Sequence, residues 1–283
     1  MSSNRKLFWD QILPFVRLKG EGIRSFLHGQ TTSDFLEVQD DFFIHSCWLN
    51  AAGRVKAILE IRLRNDVADV VVLGGDINEV IKGFEQAIFP ADRLEIESTK
   101  SIRRLQDLVL RQFERSNNIE WILPEESLPK TFQRLIPASS NQVNRWKMEN
   151  GFPLGIGELK ADYNPIELGL FDLVSVDKGC YLGQEMIAKL LKLGKVRNQL
   201  RFWESDKNLS VGQKLSTFIP DSSSKKICGI ITSSVKNLDK DGSFGLAIVR
   251  SSVFATKKLY LLDDLTKVDI KVPLGFVDIP EKN

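Results

Sequence analysis

From Arg54 to Arg64 apolar and charged residues alternate. Val55, Ala57, Leu59, Ile61 and Leu63 fall on one side, and Arg54, Lys56, Glu60, Arg62 and Arg64 mostly on the other. Successive side chains of a strand point to opposite faces, so this pattern predicts a half-buried antiparallel strand. Val70–Leu73 reads as a second strand, stopped by Gly74-Gly75. Asp76 is placed to cap a helix in which Ile77, Val80, Ile81, Phe84, Ala87 and Ile88 recur at helical spacing, with Pro90 beyond its end. Arg93–Glu97 returns as a strand. This order predicts an α+β unit with helices on one face of an antiparallel sheet.

Upstream, Phe15–Leu18 reads as a short strand, Gly20-Glu21-Gly22 as a turn and Ile23–His28 as a short helix. Gly29 stands where a helix end favours positive φ. Gly151–Gly157 contains three glycines and Pro153 and reads as a loop; a further helix starts near Gly183. After about Gln199 the texture changes. Leu200–Trp203, Lys226–Thr232, Phe244–Val249, Lys258–Leu262 and Val268–Leu274 are short strand-like runs between Gly, Ser, Asn and Asp, with Ser222–Ser224 in a loop. They predict a small all-β domain, a barrel or a sandwich.

The 283 residues allow one large domain or two to three small ones, and 42% hydrophobic content is enough for a substantial core. The net charge of +2 argues against a dedicated nucleic-acid binder. Cys47, Cys180 and Cys228 form no CxxC, and His28 and His45 are the only histidines. That set argues against a disulfide scaffold, a self-sufficient iron–sulfur cluster and a closed zinc site. The N-terminal stretch is interrupted by Arg5, Lys6, Asp10 and Pro14, and no uncharged apolar run reaches about 18 residues. A cytoplasmic location without membrane spans is therefore expected. No phosphate loop of the GxxxxGK[ST] type, dinucleotide fingerprint, GxSxG or HExxH occurs.

The segment Asp177-Lys178-Gly179-Cys180-Tyr181-Leu182-Gly183-Gln184-Glu185 sets a cysteine between two glycines, ahead of the helix-compatible run Glu185–Leu193. Unpaired helix N–H groups and Lys178 would both favour the thiolate, which predicts a thiol pKa below about 8.5. The other reading is a small buried hydrophobe in a tight turn.

KGCYLGQE matches the KGCYxGQE signature of the YgfZ family at every fixed position. Phe26-Leu27-His28-Gly29-Gln30 with Thr31, Thr32 and Asp34 resembles that family's FLxGQxTxD block. Ala51-Ala52-Gly53-Arg54, Gly151-Phe152-Pro153 and Tyr163-Asn164-Pro165-Ile166-Glu167-Leu168-Gly169-Leu170 resemble further blocks, in the family's order, over roughly Val16 to Gln199. Gly229–Ser233 and Gly245–Arg250 look like its terminal barrel. The resemblance implies a GcvT/YgfZ-like folate-binding fold of the α+β class: two α+β subdomains around a central channel, with a small C-terminal β-barrel. Residues 1–199 would form the folate-binding region, its second subdomain within about 50–135, and 200–283 the barrel. The implied cofactor is tetrahydrofolate or a derivative. The implied role is support of iron–sulfur client enzymes, including tRNA-thiolating ones. Cys180 would be the functional thiol, with Lys178 beside it. Glu167 lies at the position of the pterin-binding glutamate of aminomethyltransferases, where a carboxylate accepts two parallel hydrogen bonds. Gln30, Tyr181, Gln184 and Glu185 complete the candidate folate contacts.

The sequence departs from these families at several points. Lys147 stands where the family usually has Arg and cannot form a planar fork; Arg145 is the candidate to compensate. Ala188-Lys189 replaces Ala-Arg. The Asp-Asp pair that aminomethyltransferases carry after a strand-starting glycine is Lys56-Ala57 here. That predicts no aminomethyl transfer unless another acid reaches in, Asp34 and Asp41 being nearest in sequence. Lys189, Lys192, Lys195, Arg197 and Arg201 run without an acid until Glu204. They read as a solvated helix end, as a site for phosphate or a polyglutamate tail, or, through Lys189, Lys192, Lys195 and Arg197, as a tRNA contact. Trp146, Trp203 and Tyr181 read as packing residues that are also able to stack. The competing functions are a tetrahydrofolate-dependent one-carbon transferase and a tRNA-binding accessory.

Overall fold

The structure, a computed structural model, describes residues 6–97, 99–108, 118–153, 155, 157–217 and 226–280. Ser222–Ser224 lies outside the described residues, as do residues 154 and 156 of the glycine-rich loop. Two compact units divide the chain. Over the described residues the first comprises 6–108, 118–138 and 172–189, and the second 139–171 and 190–280.

The first unit contains β1 (Leu7–Gly20), α1 (Ile23–Gln30), β2 (Phe43–Leu49), β3 (Val55–Arg64), β4 (Val67–Gly74), α2 (Ile77–Ala87), β5 (Leu94–Ile96), β6 (Lys100–Leu108), β7 (Ile119–Ile122) and β8 (Ile136–Pro137). The strands form one sheet in the order β2-β3-β4-β1-β6-β7, with β5 and β8 also paired to β1. β1 is therefore the hub and is much longer than Phe15–Leu18. It pairs with β4 over Phe15–Lys19 and with β6 over Leu7–Phe15. Pro14 is tolerated because β4 does not pair there, so the missing N–H breaks no ladder on that side. Its first half escapes a pattern search because Gln11, Ile12 and Pro14 are exposed.

The helices cover one face of this sheet. Ile23, Phe26 and Leu27 of α1 and Val80 and Phe84 of α2 bury with Val16, Leu18, Leu59, Ile61 and Val70. Each such side chain contributes about 1.5–3 kcal/mol when fully buried. The Asp76 side chain caps α2 by accepting from Asn78 N at 2.8 Å. Gly29 corrects the expected helix end. It lies inside α1 without positive φ, and the helix closes at Thr31, whose N–H and hydroxyl both donate to Leu27 O.

The opposite face corrects the half-buried reading of β3. Glu60 is fully buried and accepts two bonds from Arg104, both at 2.7 Å. Trp121 Nε1 adds a third at 2.8 Å, and His45 Nε2 lies at 2.8 Å. The Arg104 guanidinium lies 4.5 Å from the Trp9 ring centroid. Burial alone would raise the Glu60 carboxyl, but the charge of Arg104 and the bond from His45 overcome it and hold it well below the usual range.

In the second unit, α3 (Ser140–Glu149) begins with a reciprocal Ser139/Gln142 capping box. α4 (Gln184–Leu193) starts in the first unit's residues and ends in the second's. Then follow β9 (Asn198–Ser205), β10 (Lys214–Ser216), β11 (Ile227–Lys236), β12 (Ser243–Arg250), β13 (Lys258–Leu261) and β14 (Lys267–Lys271). They close a six-stranded barrel in the order β10-β11-β12-β9-β14-β13. Trp203 fills its core, with Nε1 donating to Ser233 O and Leu246 O at 3.2 and 3.0 Å. Among the described residues no helix is long and apolar enough to cross a membrane.

Glu60→Gln leaves Arg104 buried beside a neutral partner and should cost about 3–5 kcal/mol, read as a lower urea midpoint. Arg103→Gln breaks a more exposed pair with Asp10 and should cost less than about 1 kcal/mol. Because the folded Glu60 pKa is depressed, its contribution is present above the ordinary value of 4.5 and is lost as pH falls toward the folded one. Wild type should thus lose more stability than Glu60→Gln on acidification below 4.5.

Candidate functional site

A helix leaves its last carbonyls without intrahelical partners. At the end of α1 that deficit meets Lys178. Its ammonium donates to His28 O at 2.5 Å, Thr31 O at 2.8 Å and Ser33 O at 2.7 Å. The cation also complements the negative end of the α1 dipole. Burial pushes this amine down to about 8, partly opposed by the charge of Asp34. All three hydrogens are engaged, so Lys178 has none for Cys180.

The signature is fastened further along as well. Leu182 N donates to Gly29 O at 3.0 Å. Gly183, at φ 82°, lies so close to the turn before β3 that a Cβ would stand 2.6 Å from Asn50 O and 2.9 Å from Gly53 Cα. Only glycine combines that φ with that approach. Thr32 Oγ1 donates to Leu173 O at 2.6 Å and accepts from Cys47 N at 2.9 Å. Residues 26–34, 51–53 and 178–185 thereby converge, although they are far apart in the chain.

Cys180 is exposed, whereas Cys47 and Cys228 are buried. Burial pushes the Cys228 thiol up, and its Sγ lies 3.4 Å from Leu215 O as a donor. Beside Cys180, a Cβ on Gly179 would lie 3.3 Å from His28 Nε2, and His28 Nδ1 is 3.0 Å from Asp34 Oδ1. Tyr181 is buried, with the Lys178 ammonium 4.7 Å from its ring centroid, and burial pushes its phenol up to about 12. Gln184 is half-buried at the start of α4. Glu185 is exposed and accepts from Lys189 at 2.7 Å, a bond that lowers its carboxyl. Gln30 is half-buried at the end of α1, beside a cavity it shares with Leu182.

Glu167 belongs to the second unit and is 5% exposed. Its Oε2 accepts from Asn164 N and Nδ2 at 3.2 and 2.8 Å, and its Oε1 from Asn198 Nδ2 at 3.0 Å. Leu200 N donates to Glu167 O at 2.9 Å. These bonds pin the Tyr163–Leu170 segment to the start of β9. Burial, then the charges of Asp162, Glu167 and Glu158, raises the Tyr163 phenol. Asn198 has no signal in the sequence, since a single amide in a basic run is unremarkable.

Other residues are placed as follows. Arg145 is committed to Glu149 and Glu204 at 2.9 and 2.7 Å, and Lys147 is buried beside Phe152. Lys189, Lys192, Lys195 and Arg197 are exposed, but Arg201 leaves that solvated run. It is buried, with the Phe254 and Phe276 ring centroids 5.3 and 5.5 Å away. Trp146 is buried. A cavity of about 820 Å³ in the second unit borders Arg201, Glu204, Phe254 and Lys271, and Glu167 does not line it.

No family model matches the chain. It is 24% identical to a chloroplastic protein of Arabidopsis thaliana provisionally named as a transferase, over 91% of this chain and 68% of that protein. Among solved structures it is similar to the glycine cleavage system aminomethyltransferase T from Bartonella henselae. The TM-score is 0.73 with 16% identity, over 99% of this chain and 88% of that one. The chain therefore has an aminomethyltransferase-like fold, of mixed α and β content with a six-stranded C-terminal barrel.

Iodoacetamide should label Cys180 faster than Cys47 or Cys228, since a buried thiol must wait for the fold to open. Mass spectrometry of a labelling time course reads the order directly. Lys178→Met should cost about 1–3 kcal/mol in thermal or urea unfolding, because it strips a donor from three carbonyls. Lys178→Arg should not restore it, since a planar fork cannot converge on the same three oxygens.

Proposed function

We propose that this chain is a folate-binding accessory protein of the YgfZ type that supports iron–sulfur enzymes, and that it does not itself transfer aminomethyl groups. The observation that carries this reading is the signature turn, which is rigidly fastened on both sides while its cysteine stays exposed. A thiol held in that way is presented to a partner rather than used for packing. Cytoplasmic iron–sulfur enzymes, including tRNA-modifying ones, are the proposed clients.

Each unit, taken by itself, carries groups of the kind that bind a reduced folate. The Glu167 carboxylate is an acceptor toward the N–H edge of a pterin, and its bonds from Asn164 and Asn198 hold it in place. Gln30 and Gln184 have amides suited to heterocycle edges, and both are half-buried. Tyr181 serves this reading through packing beneath the turn, and Glu185 lies at the surface. When bound, the folate would supply a one-carbon carrier; the chain's own groups would bind and orient it.

The case against aminomethyl transfer is electrostatic. Such transfer needs a carboxylate to stabilise developing positive charge. Lys56 instead supplies a cation paired with Glu79 at 3.1 Å, and Ala57 is fully buried. Neither nearby acid replaces the missing pair. Asp34 is bonded to His28 and to Leu36 N, and Asp41 is paired with Arg64. The exposure of Lys192, Lys195 and Arg197 favours a second reading, contact with tRNA, whose mark would be steep salt dependence.

Calorimetry should detect binding of tetrahydrofolate, and Glu167→Gln should weaken it roughly ten- to a hundredfold, the value of one charge-assisted contact of about 1.5–3 kcal/mol. Equal affinities would remove Glu167 from the site. In an assay of tetrahydrofolate-dependent ammonia release from an aminomethylated lipoyl carrier, this protein should show no turnover beside an authentic transferase. In cells lacking the gene, iron–sulfur enzyme activities should recover with wild type and not with Cys180→Ser. Recovery with both would remove the thiol from the function.

A further inference from the structure

Most titratable side chains at the signature turn are already committed. Lys178 gives its three hydrogens to His28 O, Thr31 O and Ser33 O. Tyr181 is buried, and burial pushes its phenol up to about 12, so it stays protonated. Asp177 and Glu185 are exposed, and Glu185 is bonded to Lys189. His28 differs. It is 9% exposed, and its Nδ1 lies 3.0 Å from Asp34 Oδ1. A carboxylate only accepts, so Nδ1 carries the hydrogen and Nε2 presents a lone pair. Leu36 N donates to the same Asp34 oxygen at 2.9 Å and, helped by His28, holds that carboxyl below its usual range. Among the described residues His28 Nε2 has no hydrogen-bond partner.

That free nitrogen faces the signature. A Cβ on Gly179 would stand 3.3 Å from it and, chain neighbours aside, would meet no other atom within 4 Å. Gly179 is exposed and has no positive φ, so its missing side chain matters for this approach and not for backbone conformation. Cys180 follows directly, its Cα about 3.8 Å beyond that of Gly179, and its thiol is exposed. A nucleophile, an imidazole with a free nitrogen and a carboxylate behind that imidazole together make an activated thiol.

We propose that His28 Nε2 accepts the proton of the Cys180 thiol and holds the resulting thiolate, with Asp34 as the positioning residue behind the ring. The S–H bond breaks and an N–H bond forms. The Asp34 carboxylate then stabilises the imidazolium. The role of His28 rests on Cys180 being the functional thiol, and it supplies a base that the KGCYLGQE segment does not itself contain.

The test is the pH dependence of Cys180 alkylation by iodoacetamide in the full chain, with mass spectrometry separating Cys180 from Cys47 and Cys228. Iodide leaves as the S–C bond forms, and the rate follows the thiolate. His28→Asn keeps an amide near the Nδ1 position and removes Nε2. At neutral pH it should react about tenfold more slowly than wild type. Above pH about 9.5 the two rates should meet, because a free thiol is by then deprotonated unaided. Equal rates throughout, or a uniform slowing at every pH, would overturn the proposal. The wild type supplies a check that needs no variant, since the chain has two histidines. Capping Cys180 as its methyl disulfide should move the nitrogen NMR signal of His28 Nε2 and leave that of His45, which faces Glu60, in place. A His28 signal unmoved by capping would also overturn it. No client enzyme enters either experiment, so failure here is distinct from failure of Cys180 as the functional thiol in cells.

Discussion

An ammonium group taken out of water must find acceptors for its three hydrogens, or it gives up its charge. Lys178 meets that demand at the end of α1, where a helix has carbonyls to spare. One side chain thereby solves two problems and joins residues about 150 positions apart in sequence. The exposed Cys180, the buried Tyr181 and the contact between Gly183 and Gly53 follow from that anchorage. Lys178 therefore holds the turn against the end of α1.

The same unit contains a second buried charge system, solved differently. Glu60 meets Arg104 in a bidentate pair, with Trp121 and His45 completing its shell. It lies on the sheet face away from the helices and fixes β2, β3, β6 and β7 in register through polar contacts. A pair of this kind adds little net stability over an apolar equivalent, but breaking it is expensive, which makes it a device for uniqueness. The apolar face beneath α1 and α2 supplies the larger share of the stabilisation.

An aminomethyltransferase-like fold does not by itself fix an activity. The fold is shared at a TM-score of 0.73 and 16% identity, and on the strand after Gly53 Lys56 pairs with Glu79 while Ala57 is fully buried. Function on a shared fold resides in such local substitutions.

Much of this was legible in the sequence. The alternation of β3, the capped helix α2 and the strand texture after Gln199 each reflect a short-range period, and period survives in a linear string. The KGCYLGQE turn and the blocks at 26–34 and 163–170 were legible as candidate site segments for the same reason, since their residue order is local. Tertiary structure alone decided the rest. The first half of β1 has no apolar alternation and is a strand because β6 pairs with it. Glu60 is polar and reads as solvent-facing until Arg104, from another strand, makes its burial tolerable. Gly29 continues α1 because Thr31 supplies the cap. Lys178 and Glu167 are bonded to His28 and Asn198, partners that no spacing rule connects to them. The sequence thus determined the elements, whose causes lie within a few residues. Burial and pairing of charge depend on neighbours brought together through space, and only the folded chain decides those.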